Sequence, residues 1–245
     1  MISSVIAGAG KGRRFKGNIP KVFHELNGRE IIEYSLETFQ RIDKVTEIIL
    51  VLPYKWTEHK RFKKLKKDFP KLKCIIPGGR FREESVYNGL INCSGQNKIV
   101  LIHDGARPLA DMSLIEKVIN NTKKHGACIP VYEIFGSVKT AKNGFLEKTM
   151  ENSKYFVAQT PQGFDKDLLI SLMEKIKRHF ETFPDESSIF RHFGYNVKII
   201  RGDLENIKIT TKEELKMAER LLSASSSESS PLTLSRFGGR EKEYE

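Results

Sequence analysis

The sequence predicts one α/β domain whose mostly parallel sheet is covered by helices on both faces, with a β-arm projecting from it. Three observations carry that prediction. Apolar, β-branched runs such as 46–52 (TEIILVL) and 98–102 (KIVLI) alternate with stretches of helical periodicity such as 31–39 (IIEYSLETF), the rhythm of strand–helix–strand units. The first apolar run, 3–7 (SSVIA), ends directly in glycines, where a parallel sheet places its ligand loop. At 245 residues, with 39% hydrophobic and 30% charged, the chain is large and apolar enough to bury a single core.

The elements follow in order. Residues 3–7 form a buried strand, 31–39 a helix, and 46–52 a strand closed by Pro53. Within 55–73, Trp56, Phe62, Leu65 and Phe69 recur at helical spacing, so this segment reads as a surface helix with one apolar face. A short strand at 73–76 stops at Pro77-Gly78-Gly79, and 85–91 is helical. Then come a strand at 98–102, a helix at 113–125 ended by Gly126, and a strand at 127–132. Residues 168–180 are expected to form one long amphipathic helix, 197–200 a strand and 212–222 a helix. Between about 135 and 159 the rhythm breaks around Asn143-Gly144, a two-residue hairpin signal, and this stretch is the arm. The domain spans 1–222, and the Ser-rich, charged stretch 223–245 reads as a disordered tail.

Composition excludes several classes. No apolar run reaches the roughly 18 to 20 residues of a bilayer span, and the N-terminus has no secretory pattern. Cys74, Cys93 and Cys128 are odd in number and far apart, which argues for a reducing compartment, the cytoplasm, over a disulfide framework or zinc site. His24, His59, His125, His179 and His192 form no metal-like spacing, and His103 reads as a packed histidine. The net charge is +11, and nine basic residues against Glu58 and Asp68 between 55 and 73 supply +7 of it. That pattern reads as a solvated helix face rather than a nucleic-acid site, because no nucleic-acid module accompanies it.

The glycine loop carries the first chemistry. Gly8-Ala9-Gly10-Lys11-Gly12-Arg13-Arg14 follows a strand and fits neither the dinucleotide fingerprint, which needs glycine at 13, nor the P-loop pattern. Its glycines let the backbone approach a phosphate closely, so that successive N–H groups can cradle it. Arg14 and, after Pro20, Lys21 lie on the same excursion, within reach of a triphosphate bound there.

Residues 8–21 (GAGKGRRFKGNIPK) resemble the signature loop of the 2-C-methyl-D-erythritol 4-phosphate cytidylyltransferases. Four further segments resemble that family in the same order: 78–90 (GGRFREESVYNGL), 103–108 (HDGARP), 159–164 (QTPQGF) and 206–210 (NIKIT). The resemblance implies a Rossmann-like domain of the glycosyltransferase-A type, with an arm that clasps a second subunit. It implies a reaction of CTP with a methylerythritol phosphate that gives a CDP-alcohol and pyrophosphate in non-mevalonate isoprenoid synthesis. It assigns Arg14, Lys21 and Lys208 to the triphosphate and the reacting phosphorus. It assigns Ala9, Gly10, Gly12, Gly79, Arg82, Ser85 and Gly105 to CTP, and Asp104, Arg107, Ser137, Asn152 and Thr210 to the second substrate, with Arg107 bracing Asp104. Mg²⁺ is expected as a cation carried by CTP, since it favours oxygen ligands and retains waters; no protein ligand is assigned. Residues 159–164 read as architectural, and Asp185-Glu186 as a turn or cap.

The arm departs from the family pattern. Gly136-Ser137-Val138-Lys139 stands where Asp-Thr-Ile-Lys is usual, and Glu151-Asn152 replaces Asp-Arg. An asparagine cannot supply the bidentate cation that a phosphate would meet there, although Lys148 and Lys154 lie nearby. Gly8 also replaces the usual alanine. The nucleotide half therefore matches while the acceptor half is altered. That leaves two alternatives beside methylerythritol phosphate: another polyol phosphate such as ribitol 5-phosphate, or a non-catalytic nucleotide- or nucleic-acid-binding protein.

Overall fold

A computed structural model describes residues 1–227 except 11, 13, 16–18, 59–60, 135 and 151–154, and it leaves the side chains of 61 and 225–227 undescribed. The expected alternation is present. The strands that build the main sheet are β1 (Ile2–Ala7), β4 (Val45–Leu52), β5 (Leu72–Pro77), β6 (Ile99–Asp104), β7 (Ala127–Glu133), β10 (Phe156–Ala158), β11 (Gln162–Asp165) and β12 (Lys198–Arg201). Two short pairs stand apart: β2 (Glu25–Leu26) with β3 (Arg29–Glu30), and β8 (Lys139–Lys142) with β9 (Phe145–Thr149). The helices are α1 (Ile31–Arg41), α2 (Arg61–Asp68), α3 (Arg82–Leu90), α4 (Met112–His125), α5 (Lys166–Lys175), α6 (Glu186–His192) and α7 (Lys212–Ser227).

β1 is central, parallel to β4 on one side and to β6 on the other, and β5 continues the parallel half beyond β4. Beyond β6 the sheet turns mixed, because β11 runs antiparallel to both β6 and β7. β12 restores a parallel pairing along Cys128–Val131. The strand alternation divides two cores. Ile2, Ile6, Ile48, Leu50 and Leu101 face α1, α2 and α4, whereas Val5, Ile49, Val51, Val100 and Ile102 face α3, α5 and α6. A third cluster joins Phe15, Leu26 and Ile31 to Ile209 and Ala218 of the last helix. Among the described residues, no helix is long and apolar enough to cross a membrane.

Local chemistry explains most boundaries. α4 starts where the Asp111 carboxylate accepts the Leu114 N–H at 2.7 Å, and it ends at left-handed Gly126 (φ +80°). The β8–β9 hairpin turns at Asn143 (φ +53°) and Gly144 (φ +83°), the two left-handed residues a tight hairpin needs. Four expectations change. The arm expected at about 135–159 is the shorter β8–β9 hairpin, because β10 pairs antiparallel with β7 in the main sheet. The helix expected at 168–180 stops at Lys175, and the chain turns so that Phe180 packs on Tyr87, ring centroids 5.8 Å apart, with Lys177 over the same ring. The basic segment 55–73 is a 3₁₀ turn at Tyr54–Trp56 followed by the shorter α2, whose Phe62 and Leu65 are buried under exposed Lys63, Lys64, Lys66 and Lys67. The last helix runs on to Ser227, past the expected boundary at 222, and the remainder of the expected tail lies outside the described residues.

Candidate active site

The site forms at the carboxyl ends of β1, β5 and β6, where the strand order reverses around β1 and an open parallel sheet leaves a crevice. A cleft of about 460 Å³ is lined by Gly8, Ala9, Gly10, Gly12, Arg14 and Lys21 on one side. Gly79, Arg80, Phe81, Arg82 and Ser85 line another side, and Asp104, Lys208 and Thr210 close it. Lys11 and Arg13 of the glycine loop lie outside the described residues.

Each wall has a local cause. Gly12 sits at φ +56°, and its carbonyl accepts the Phe15 N–H at 2.8 Å, closing a turn that buries Phe15. Gly78 lets the two walls meet, since a Cβ there would lie 2.3 Å from that of Ala9. α3 begins at Arg82, three residues before the expected start, and so carries Arg82 and Ser85 on its first turn. The Ser85 hydroxyl accepts the Gly79 N–H at 3.0 Å and donates to the Phe81 carbonyl at 2.9 Å, which holds the Gly79–Phe81 turn against the helix.

The third wall is an extended segment ahead of α7. Ile207 and Ile209 pack into the third core cluster, so alternation turns Lys208 and Thr210 to the cleft. The Ile209 N–H donates to the Ala106 carbonyl at 2.8 Å, and its own carbonyl accepts from the Lys21 ammonium at 2.9 Å. A capping box secures the exit: Glu214 accepts the N–H groups of Thr210 (2.5 Å) and Thr211 (2.8 Å), and the Thr211 hydroxyl accepts the Glu214 N–H at 3.3 Å.

Charge is the dominant feature. Among the described residues, five cations line the cleft, Arg14, Lys21, Arg80, Arg82 and Lys208, against the single carboxylate of Asp104. Asp104 is buried and ringed by Lys208 Nζ at 2.7 Å, Arg82 Nε at 3.5 Å and Arg107 Nε at 3.6 Å. Burial alone would raise its pKa, but Arg82, Lys208 and Arg107 hold it well below the usual carboxylate range. Burial, with Lys208 and Arg14 nearby, pulls the Lys21 ammonium down to about 8. Arg82 is held from behind by Glu186, whose carboxylate oxygens accept from Nη1 at 2.8 and 2.9 Å.

Beneath Asp104 runs a neutral relay. Its N–H donates to the Thr160 hydroxyl at 3.0 Å, and that hydroxyl lies 3.1 Å from His103 Nδ1. His103 Nε2 lies 3.2 Å from the Arg107 carbonyl. A carbonyl only accepts, so Nε2 carries the hydrogen and Nδ1 accepts from Thr160. Burial pushes His103 down to about 4, which makes it the packed neutral histidine expected from the sequence.

Ala9, Gly10, Gly12, Arg14, Lys21, Gly79, Arg82, Ser85, Asp104, Lys208 and Thr210 thus meet in one cleft. Three assigned residues do not. Gly105 lies in the core, where a Cβ would meet Ile32 at 2.7 Å, and its N–H bonds the Ala7 carbonyl at 2.9 Å. Arg107 is buried behind Asp104 and donates to the Asn206 carbonyl at 2.7 Å, a bracing role. Ser137 is exposed at the foot of the hairpin, away from the cleft wall, and Asn152 lies outside the described residues. Asp185 is a cap, as expected, but its neighbour Glu186 is the buried partner of Arg82, which no local pattern signals. Arg80 and Phe81 also escape the motif reading, though both follow Gly79 directly.

Among the described residues, no three metal-ligating side chains cluster. With Asp104 as the one anionic group among the described residues of the wall, the cleft fits a divalent cation only where most of its ligands come from a bound polyphosphate and water.

Comparison with known proteins gives a consistent result. The family model for IspD, 2-C-methyl-D-erythritol 4-phosphate cytidylyltransferase, matches residues 2–224. A curated relative of that name from Geobacillus kaustophilus is 36% identical over 223 residues, covering 90% of this chain and 96% of the relative. Another, from Caldicellulosiruptor bescii, is 37% identical over 219 residues, covering 89% and 96%. The crystal structure of 4-diphosphocytidyl-2C-methyl-D-erythritol synthase from Anaerococcus prevotii superposes with a TM-score of 0.79 at 31% identity, over 91% of this chain and 96% of that one.

Proposed function

Because this chain belongs to the 2-C-methyl-D-erythritol 4-phosphate cytidylyltransferase family, we propose that its cationic cleft binds CTP and positions it for attack by the acceptor phosphate. The chain is a CTP-dependent cytidylyltransferase of isoprenoid biosynthesis, and its reaction joins CTP to 2-C-methyl-D-erythritol 4-phosphate. An acceptor phosphate oxygen forms a bond to the α-phosphorus, the bond from that phosphorus to the β-bridging oxygen breaks, and pyrophosphate leaves. The nucleophile is already anionic, so the step needs positioning and positive charge rather than a general base. One observation carries the assignment of roles: Arg14, Lys21 and Lys208 converge on one cleft with the glycine loop.

In this reading Arg14 and Lys21 hold the triphosphate against the backbone of Ala9, Gly10 and Gly12, and Lys208 stabilises charge at the α-phosphate. The Gly79 N–H is already engaged by Ser85, so the Ser85 hydroxyl reads cytosine as an acceptor, through its remaining lone pair. Asp104, braced by Arg107, meets sugar or acceptor hydroxyls, and Thr210 stands beside it. A Mg²⁺ held mainly by the triphosphate of CTP and water, beside Asp104, would supply charge neutralisation.

The arm belongs to the acceptor half and to assembly. Ser137, exposed and not among the residues that line its own cleft, fits an acceptor pocket completed by a second copy, to which the sequence adds Asn152. Phe145 (78% exposed) and Leu146 (66%) at the hairpin tip suit contact with that copy. Cysteine usage supports a cytoplasmic enzyme. The test is pyrophosphate release from CTP and Mg²⁺ with methylerythritol phosphate and ribitol 5-phosphate in parallel. Turnover with methylerythritol phosphate is expected. Turnover with ribitol phosphate alone would tie Gly136 and Asn152 to a changed acceptor.

A further inference from the structure

We propose that Glu186 is a positioning residue of the nucleotide site, acting through Arg82 to set the geometry around Asp104. Glu186 is fully buried, lies 104 residues from Arg82 in sequence and does not line the cleft. It is rigidly mounted. Asp185 caps α6 by accepting the Ser188 N–H at 2.9 Å, Gln162 Nε2 donates to Asp185 at 3.2 Å, and Ile189 and Phe190 are anchored in the core. From that mount both oxygens take Arg82 Nη1, at 2.8 and 2.9 Å.

The consequence falls on Asp104, where three cations compete for one carboxylate. Lys208 occupies the close position at 2.7 Å, while Arg82 stands back at 3.5 Å. Glu186 supplies the opposing anion that keeps Arg82 there. Glu83 reaches the same Nη1 only at 3.8 Å, so without Glu186 much more of the charge of this half-buried guanidinium would fall on Asp104, draw Arg82 inward and crowd Lys208 and any hydroxyl that Asp104 receives. A buried ion pair is a weak source of stability, since apolar replacements of similar volume often serve as well. Arg82, however, lines the cleft, so the pair has a use that packing alone would not require.

The inference rests on the reading of the cleft as the CTP site, and the experiment separates the two. Glu186→Gln keeps shape and removes charge. It is expected to raise KM for CTP about tenfold with kcat within about threefold, the pattern of an interaction lost equally from ground and transition states. Arg82→Gln should do the same, and Glu186→Gln combined with Arg82→Gln should be no worse than Arg82→Gln alone. An unchanged KM in Glu186→Gln, or a further rise in the double variant over Arg82→Gln, overturns the proposal. If Glu186→Gln fails to fold, the comparison of the double variant with Arg82→Gln decides alone. Lys21→Gln is measured beside them. Loss of about 10²-fold in kcat/KM there upholds the cleft reading whatever Glu186 does, and no loss fails that reading itself.

Discussion

Lys21 illustrates how a single side chain links burial to catalysis. Its ammonium donates to the Ile209 carbonyl and sits near Lys208 and Arg14. Burial first, and those cations second, lower its pKa to about 8. The sign follows: the proton is held below about pH 8 and lost above it, while a bound triphosphate favours the charged form. KM for CTP is therefore expected to be flat below pH 8 and to rise between about pH 8 and 9.5. Lys21→Arg, charged throughout, should show no such rise. Steady-state kinetics in overlapping buffers measures both, and an identical rise in the arginine variant would assign the titration elsewhere. This depressed pKa is invisible in Pro20-Lys21 as a sequence, because its largest causes are burial and Lys208, a cation far along the chain.

At the scale of elements, helix caps separate stability from function. Asp111 caps α4 with one bond, to Leu114. Glu214 caps α7 and also takes the Thr210 N–H, tying down the segment that carries Lys208. Asp111→Ala and Glu214→Ala are each expected to cost about 1 kcal/mol in urea unfolding. Only Glu214→Ala should also lower kcat/KM, by about tenfold or more, because it loosens the Lys208–Thr210 wall. Equal activity in the two variants would reduce the α7 cap to a helix-stabilising device. The sequence signals the end of α4 at Gly126, whereas the caps at Asp111 and at Thr211 with Glu214 come from the structure. The early end of α5 is not legible, because the apolar spacing continues to Phe180 while packing on Tyr87 bends the chain away.

For the whole molecule, the hairpin is the most exposed paired element among the described residues. Every residue of β9 is exposed, including Phe145 and Leu146. If this tip contacts a second copy, Phe145→Ser with Leu146→Ser should shift the protein from dimer to monomer in sedimentation velocity. The half-reaction contacts with CTP should persist, since the cleft is built within one chain. A dimer that survives the double change would place the interface elsewhere.

The alternation of β-branched runs with helical periods, the Asn143-Gly144 turn and the glycine loop are consequences of local chemistry, so the sequence by itself determined the domain class, the arm and the nucleotide loop. Five ordered motifs likewise determined the family and most of the cleft residues. Tertiary structure alone decided the charge arrangement: Asp104 shared among Lys208, Arg82 and Arg107, with Glu186 behind Arg82. It also decided that Gly105, expected at CTP, packs in the core instead. The physical reason is distance along the chain. Periodicity and turn chemistry act over a few residues, whereas Coulomb energy and burial depend on neighbours brought together from about a hundred residues away.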